Sequence, residues 1–281
     1  MAIKILTDSG SDINQLEADK MGIHLMPIPI TFGETEYLDG VNLMPTEFYD
    51  LLEKSDELPV TSQITPYKYE EVFEKLTANG DQLIVITLSS KISGTYQNAK
   101  NTAEKFKGKV FVIDSLNACI GQRLITQYAL KLSQEGLSAE EIVEKVETAK
   151  TRVRLIAMID TLKYLKKGGR ISAAAAAIGG LVNLKPMISV IDGEVKVVGK
   201  TIGAKKAMQF INKEVEAKGG VNFDMPYGVL WSGNSSANLE NWLQENGSRF
   251  GLEGTEKKYC LGGTIGTHIG SGAVGVAFFE K

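Results

Sequence analysis

Histidine and cysteine are scarce in this 281-residue chain, and their scarcity excludes several kinds of site. The two histidines, His24 and His268, are too few for a histidine-rich metal site. The two cysteines, Cys119 and Cys260, lie far apart in sequence and give neither a disulfide framework nor a metal-binding motif. We therefore expect no metal ion in this protein.

An excess of positive charge is also missing, since 31 Lys and Arg residues stand against 34 Asp and Glu residues. No basic run with interleaved aromatic residues occurs, so we expect no nucleic-acid partner. The longest apolar stretch, residues 171–184, is too short to span a bilayer and is interrupted by polar residues and glycines. Because residues 1–9 lead directly into a strand, we expect no signal peptide and a cytoplasmic protein with at most transient membrane contact.

Residues 84–100, IVITLSSKISGTYQNAK, combine a strand, a turn and a helix. Residues 84–88 form an apolar, β-rich run typical of a buried strand, and apolar side chains recur with helical spacing after Ser93. The first N–H groups of such a helix have no internal acceptor, and the helix dipole adds partial positive charge there. With its hydroxyls and Gly94, this corner suits an anion, although Ser93 acting only as a helix cap is the simpler interpretation.

Two other predicted strands end in acidic and hydroxyl side chains. The strand at residues 3–6 leads into Thr-Asp-Ser at residues 7–9, and the strand at residues 110–113 leads into Asp-Ser at residues 114–115. Parallel strands bring such ends to one edge of a sheet, where ligands tend to bind. Helix caps explain the Asp–Ser pairs equally well, so a binding role for them stays open.

The order of elements predicts an α/β fold in two parts. Strands alternate with helices over the first 150 residues, which indicates a parallel sheet. Beyond Thr151 we expect more mixed elements, including a hairpin at Asp192 and Gly193 and two final strands joined by the glycine-rich segment 262–272. We predict an N-terminal parallel-sheet α/β domain at residues 1–151 and a C-terminal mixed α+β domain at residues 152–281, with the ligand between them.

One apparent cofactor motif does not fit its context. Residues 270–275 match G-x-G-x-x-G, but only six residues follow. A dinucleotide site also needs a helix, a second strand and an acidic residue about 20 positions further on. We therefore interpret these glycines as a tight turn and expect no cofactor.

A serine esterase is the alternative to a binding protein. In that hypothesis Ser93 is the nucleophile and His268 its base. The sequence around Ser93 is not the G-x-S-x-G elbow, because Lys91 stands two residues before it, and no acid that would orient His268 is evident. A buried, hydrogen-bonded histidine is the commoner role, yet His268 lies among glycines and threonines, where packing needs no imidazole. We therefore keep it as a ligand-side residue.

An alanine run at residues 173–177 has two interpretations of equal weight. Alanine is the best helix former, and small side chains permit close helix packing. The missing side-chain volume, next to Ile178 and Leu181, equally leaves space for an apolar ligand.

Seven short motifs, in their order and spacing, resemble the DegV family, which includes bacterial fatty-acid-binding subunits of fatty acid kinase. They are TDSGSD at 7–12, TSQ at 61–63, LSSKISGTYQNA at 88–99, VIDS at 112–115, LKKGGR at 165–170, LKP at 184–186 and GTHIGSG at 266–272. The resemblance implies two α/β-type domains with a long-chain fatty acid between them, and a carrier rather than an enzyme. For the carboxylate it implies contacts with Thr61, Ser93 and the Gly94 N–H, with Ser62 beside them and His268 nearby.

The resemblance also raises the question of a partner. With a fatty acid as the ligand, we expect the small side chains of the alanine run, Ala173, Ala174 and Ala177, to line its acyl tunnel together with Ile178. The resemblance further implies that the bound acid is presented to a fatty acid kinase subunit, at a rim formed by Arg170, Ile202 and Lys205. Kinase-linked members usually have Arg where this chain has Ile202, which puts the kinase contact, but not lipid binding, in question.

Overall fold

The computed structural model describes residues 2–171, 183–252, 254 and 257–281. The predicted tunnel residues Ala173, Ala174, Ala177 and Ile178 lie outside the described residues. Within the described ranges, no helix has the length and apolar character needed to cross a membrane. The same ranges hold no cluster of three or more His, Cys, Asp or Glu side chains suited to a metal ion.

The secondary structure follows the α/β alternation that the sequence predicts. The strands are β1 (Ile3–Asp8), β2 (His24–Met26), β3 (Pro29–Phe32), β4 (Thr35–Leu38), β5 (Val60–Thr61), β6 (Gln82–Thr87), β7 (Val110–Asp114), β8 (Val153–Met158), β9 (Leu184–Ile191), β10 (Glu194–Ile202), β11 (Tyr227–Trp231), β12 (Lys258–Cys260) and β13 (Val274–Phe279). The helices are α1 (Gln15–Met21), α2 (Pro45–Lys54), α3 (Pro66–Thr77), α4 (Thr95–Ala103), α5 (Cys119–Gln134), α6 (Ala139–Ala149), α7 (Lys163–Lys167), α8 (Ala204–Ala217), α9 (Ala237–Asn246) and α10 (Gly263–Ile269).

These strands form three sheets. The first is parallel with the order β2-β1-β6-β7, and the second is small and antiparallel with the order β4-β3-β5. The third has the order β10-β9-β8-β13-β11-β12 and is antiparallel except for the β11–β12 pair. The α/β fold with a parallel first sheet and a mixed last sheet is confirmed. The domain boundary between residues 151 and 152 stays a prediction.

The carboxyl ends of β1, β6 and β7 meet at one edge of the parallel sheet, as predicted. The Asp8 carboxylate accepts a hydrogen bond from the Leu88 N–H at 2.8 Å, and the Asp114 carboxylate accepts one from the Ser90 N–H at 3.1 Å. Burial raises the pKa of Asp8 to about 6, against the opposing effect of its hydrogen bonds. Both aspartates therefore hold the backbone of the turn that follows β6.

Helix α5 lies between the two large sheets, in contact with β1 and β6 on one side and with β8, β11 and β13 on the other. One cluster of buried apolar side chains accordingly runs through both halves of the chain, from Ile84 through Ile120 and Leu124 to Leu155 and Leu230. The two halves thus share a core.

The glycine-rich segment 262–272, for which the sequence predicts only a connection between strands, contains helix α10. Its glycines are required by close packing. A Cβ on Gly263 would lie 2.5 Å from Ile30 Cδ1, and one on Gly266 would lie 2.4 Å from Phe48 Cε1. Tertiary packing therefore overrides the poor helix propensity of glycine here.

Candidate functional site

A cavity of about 210 Å³ lies where the β6–α4 corner, α10 and the six-stranded sheet meet. Most of its wall is apolar and comes from both halves of the chain. The apolar wall includes Ile28, Leu88, Ile92, Leu155, Ala157, Ile188, Leu230 and Ile269. The polar end includes Thr61, Ser62, Gln63, Ser93, Gly94, Arg170 and His268. The structure therefore brings all five predicted carboxylate-binding residues to one cavity.

The first polar contact joins the two halves of the chain. Thr61 ends the edge strand β5, and His268 lies on the last turn of α10. The Thr61 Oγ1 and the His268 Nε2 are 3.0 Å apart, a hydrogen bond whose direction depends on the imidazole tautomer. Ser62 follows on the exposed side, where its N–H donates to the Pro29 carbonyl at 3.0 Å.

The second polar feature of this end of the cavity is the start of α4, which begins at Thr95 with Gly94 as its N-cap. The Ser93 Oγ accepts a hydrogen bond from the Thr95 N–H at 3.2 Å and donates one to the Thr95 Oγ1 at 2.9 Å. Ser93 therefore supports the first helical turn and also lines the cavity. The Gly94 N–H belongs to the end of the helix whose donors have no intrahelical acceptor.

The side chain of Gln63 lies directly over Gly94. A Cβ on Gly94 would be 1.9 Å from the Gln63 Oε1, although the Gly94 φ of −72° would suit any residue. A larger residue here would have to displace the exposed Gln63 side chain, whereas it would not strain the backbone. The Gln63 loop is tied to α4 by Asn98, whose Nδ2 donates to the Ile64 carbonyl at 2.9 Å.

His268 is held as a neutral imidazole. Burial, together with the nearby positive charge of Arg170, lowers its pKa to about 4. Its Nδ1 is buried without a hydrogen-bond partner among the described residues. A Cβ on Gly168 would lie 2.4 Å from this nitrogen, so the glycine permits the close approach of the ring.

The three predicted rim residues are not brought together. Arg170 lines the cavity, and its guanidinium donates to the carbonyls of Ile92 and Gly168. It also borders an outer groove with residues 194–197 at the start of β10. Ile202 is 57% exposed at the other end of β10, roughly 20 Å away at about 3.3 Å per residue, and Lys205 follows it on α8.

The geometry does not form the nucleophile–base pair that an esterase would need. The His268 Nε2 contacts Thr61, while the Ser93 hydroxyl donates to Thr95. No carboxylate bonds to the His268 Nδ1 within the described part of the chain. A serine nucleophile, a base and an orienting acid are therefore not assembled.

Sequence reasoning missed two residues of this site. Gln63 was noted only as part of a motif, and Arg170 was assigned to an outer rim alone. A signal for α10 was present, since Thr264 and His268, like Ile265 and Ile269, are four residues apart. The surrounding glycines concealed this helical spacing.

The fold and the cavity define a two-part α/β protein with a ligand cavity that is polar at one end and apolar along its length. The family model described as "Uncharacterised protein, DegV family" matches residues 2–281. The chain belongs to the DegV family, which confirms the resemblance of its motifs.

Relatives and solved structures agree with this assignment over the whole chain. A DegV domain-containing protein of Caldanaerobacter subterraneus is 36% identical over 283 residues, which cover 99% of each chain. A DegV family protein of Thermus thermophilus, described by its fatty acid binding, has a TM-score of 0.89 at 30% identity and full coverage of both chains. DegV of Bacillus subtilis, described as a fatty acid binding protein, has a TM-score of 0.85, also at 30% identity and full coverage.

Proposed function

We propose that this chain binds a long-chain fatty acid, with the carboxylate at the polar end of the cavity and the acyl chain along its apolar wall. The observation that carries the proposal is the junction of the two surfaces in one cavity. Thr61, Ser93, Gly94 and His268 lie at one end, and aliphatic side chains line the rest. The two solved DegV structures described as fatty acid binding support it.

The polar end has the chemistry to bind an ionised carboxylate. Removing such a group from water is costly unless it accepts hydrogen bonds. The N–H of Gly94 offers a donor, the hydroxyls of Thr61 and Ser93 become donors to the ligand when they rotate away from His268 and Thr95, and the start of α4 adds the positive end of its dipole. The neutral His268 donates from Nε2 or accepts there, according to its tautomer, and so orients the Thr61 hydroxyl.

The apolar wall supplies most of the affinity. Roughly fifteen buried methylenes at ~0.8 kcal/mol each contribute on the order of 12 kcal/mol before the costs of association. The polar end then sets the orientation of the ligand. The Ser93 corner at the outer side of the cavity leaves the carboxylate near the surface, where the exposed Ser62 and Gln63 lie.

The direct test is to identify what the purified protein carries. Native mass spectrometry before and after organic extraction should reveal a bound fatty acid of about 14 to 18 carbons. The extracted protein should bind the same acid again with one-to-one stoichiometry. An empty protein that takes up no acid and hydrolyses nitrophenyl esters would refute the carrier function and favour the esterase.

A finer proposal is that the bound acid is presented to a fatty acid kinase subunit, which phosphorylates the carboxylate. The carrier itself then performs no chemistry. Arg170 supports this idea, because its side chain connects the cavity with the outer groove at the start of β10. A guanidinium at that position would suit a partner that holds nucleotide phosphates.

A further inference from the structure

Helix α10 is attached at its first turn to the first half of the chain by two buried aspartates. Asp39 accepts hydrogen bonds from the Gly263 N–H at 2.9 Å, the Thr264 N–H at 3.0 Å and the Thr264 hydroxyl at 2.5 Å. Asp12 accepts one from the Gly262 N–H at 2.7 Å. The exposed fractions are 2% for Asp39 and 8% for Asp12. Carboxylates of one half therefore hold the leading amides of a helix that belongs to the other half.

The same helix carries the imidazole of the candidate site one turn later. Thr264 and His268 are four residues apart, so they lie on the same helical face. Thr264 is bound to Asp39, and His268 contacts Thr61 at 3.0 Å. Because Gly266 has no side chain, α10 packs flush against α2 and has little room to shift.

We propose that Asp39 is a positioning residue for the candidate site, because by holding the first turn of α10 it fixes the His268 imidazole against the Thr61 hydroxyl. A carboxylate fits this task, since its two oxygens accept from three donors with charge-assisted strength. Asparagine has the same shape but only one acceptor oxygen, and its amide hydrogens would face donors of α10. The effect on a fatty acid rests on the proposed function, whereas the effect on His268 does not.

The test is a pH titration of the ligand-free protein. NMR of the imidazole nitrogens monitors the protonation of His268. The chain has only two histidines, so His24→Gln assigns both signals. In the wild type, His268 should titrate near the pKa of about 4 that burial gives it. In Asp39→Asn, its midpoint should rise by at least one pH unit toward 6.5, while that of His24 stays unchanged.

Asp8→Asn is the matched control, because Asp8 is also fully buried but bonds to Leu88, Gly10 and Gln122 rather than to α10. It should lower thermal stability without moving the His268 midpoint. An equal shift of His268 in both variants, or none in Asp39→Asn, would overturn the proposal.

Two variants with milder substitutions, both at Thr264, provide the test if Asp39→Asn does not fold. Thr264→Val removes the hydroxyl, and with it the bond to Asp39 and the 3.2 Å contact with the Ser9 Oγ, whereas Thr264→Ser retains both. The His268 midpoint should shift in the valine variant and return in the serine variant; identical midpoints in both would count against a role for this bond. Fatty-acid affinity of Asp39→Asn, measured separately, should fall at least fivefold. A wild type that binds no fatty acid refutes the proposed function and leaves the His268 result interpretable.

Discussion

The Thr61 hydroxyl and the His268 imidazole meet at 3.0 Å although 207 positions separate them in sequence. One belongs to an edge strand of the first half, and the other to a helix that the second half inserts against it. The polar end of the cavity therefore exists only when the two halves are docked. Binding measurements on variants of this contact consequently report on the assembled site.

Removing a head-group hydroxyl should weaken the binding of fatty acids. We expect Thr61→Ala and Ser93→Ala each to cost about 1–3 kcal/mol, because a charged acceptor loses a donor. For fatty alcohols of the same length, the same substitutions should reduce the affinity much less. Isothermal titration with both ligands measures this, and Ser90→Ala, an exposed serine in the same turn that does not line the cavity, is the control. Equal losses of affinity for the acid and the alcohol would show that Ser93 acts only as a helix cap.

Filling the space over Gly94 should also impair binding, for a steric reason. In Gly94→Ala the new methyl would lie 1.9 Å from the Gln63 Oε1, so the exposed Gln63 side chain must rotate away from α4. We expect affinity to fall a few-fold and to recover in part in the Gly94→Ala/Gln63→Ala double variant. A double-mutant cycle measures this coupling. Strict additivity would show that the two side chains do not interact.

Narrowing the apolar part of the cavity should select for chain length. Ala157 lines the cavity with 3% exposure, so Ala157→Leu should exclude acids of about 16 carbons and spare those of about 10. Ala207→Leu is the control, because Ala207 is equally buried in the separate cluster on the other face of the sheet. Both changes should lower the melting temperature by overpacking. A uniform loss at every chain length in Ala157→Leu would contradict the tunnel.

The depressed pKa of His268 makes stability depend on pH. Between pH 6.5 and about 4 the unfolded chain binds more protons at this group, so its contribution to the free energy of unfolding falls as the pH falls. Between pH 7 and pH 4, the free energy of unfolding of the wild type should therefore fall by roughly 3 kcal/mol relative to that of His268→Gln. Asp8, with its raised pKa, contributes in the opposite direction but cancels in the comparison. Denaturant unfolding across this range measures it, and a constant difference would exclude a buried neutral His268.

Restoring an arginine at position 202 should improve presentation to a kinase. Ile202 is 57% exposed and cannot pair with a carboxylate or phosphate, so we expect weak acyl-phosphate formation by the wild type with a generic kinase subunit. Ile202→Arg should raise that turnover without changing lipid affinity. Leu16→Arg places the same charge on α1, on a residue that is 63% exposed and lines neither the cavity nor the outer groove, and should not. Full activity of the wild type would show that this contact is unnecessary.

Local sequence patterns predict part of this site, whereas the rest depends on packing between residues far apart in sequence. The strand–turn–helix at Ser93 could be read from a β-rich run and helical spacing. The contact between Thr61 and His268 could not, because no local pattern encodes a pairing across 207 positions. Helix α10 was concealed because Gly266 serves packing at the expense of propensity.

The position of α5 between the two large sheets constrains how a ligand can enter the cavity. A hinge that parted the two halves would strip α5 from one sheet and expose Ile120 and Leu124, at about 1.5–3 kcal/mol for each side chain. Rotation of the exposed Gln63 side chain at the outer end disturbs far less. A long chain would therefore thread in lengthwise with its methyl end leading, and its head group would be the last part to leave water.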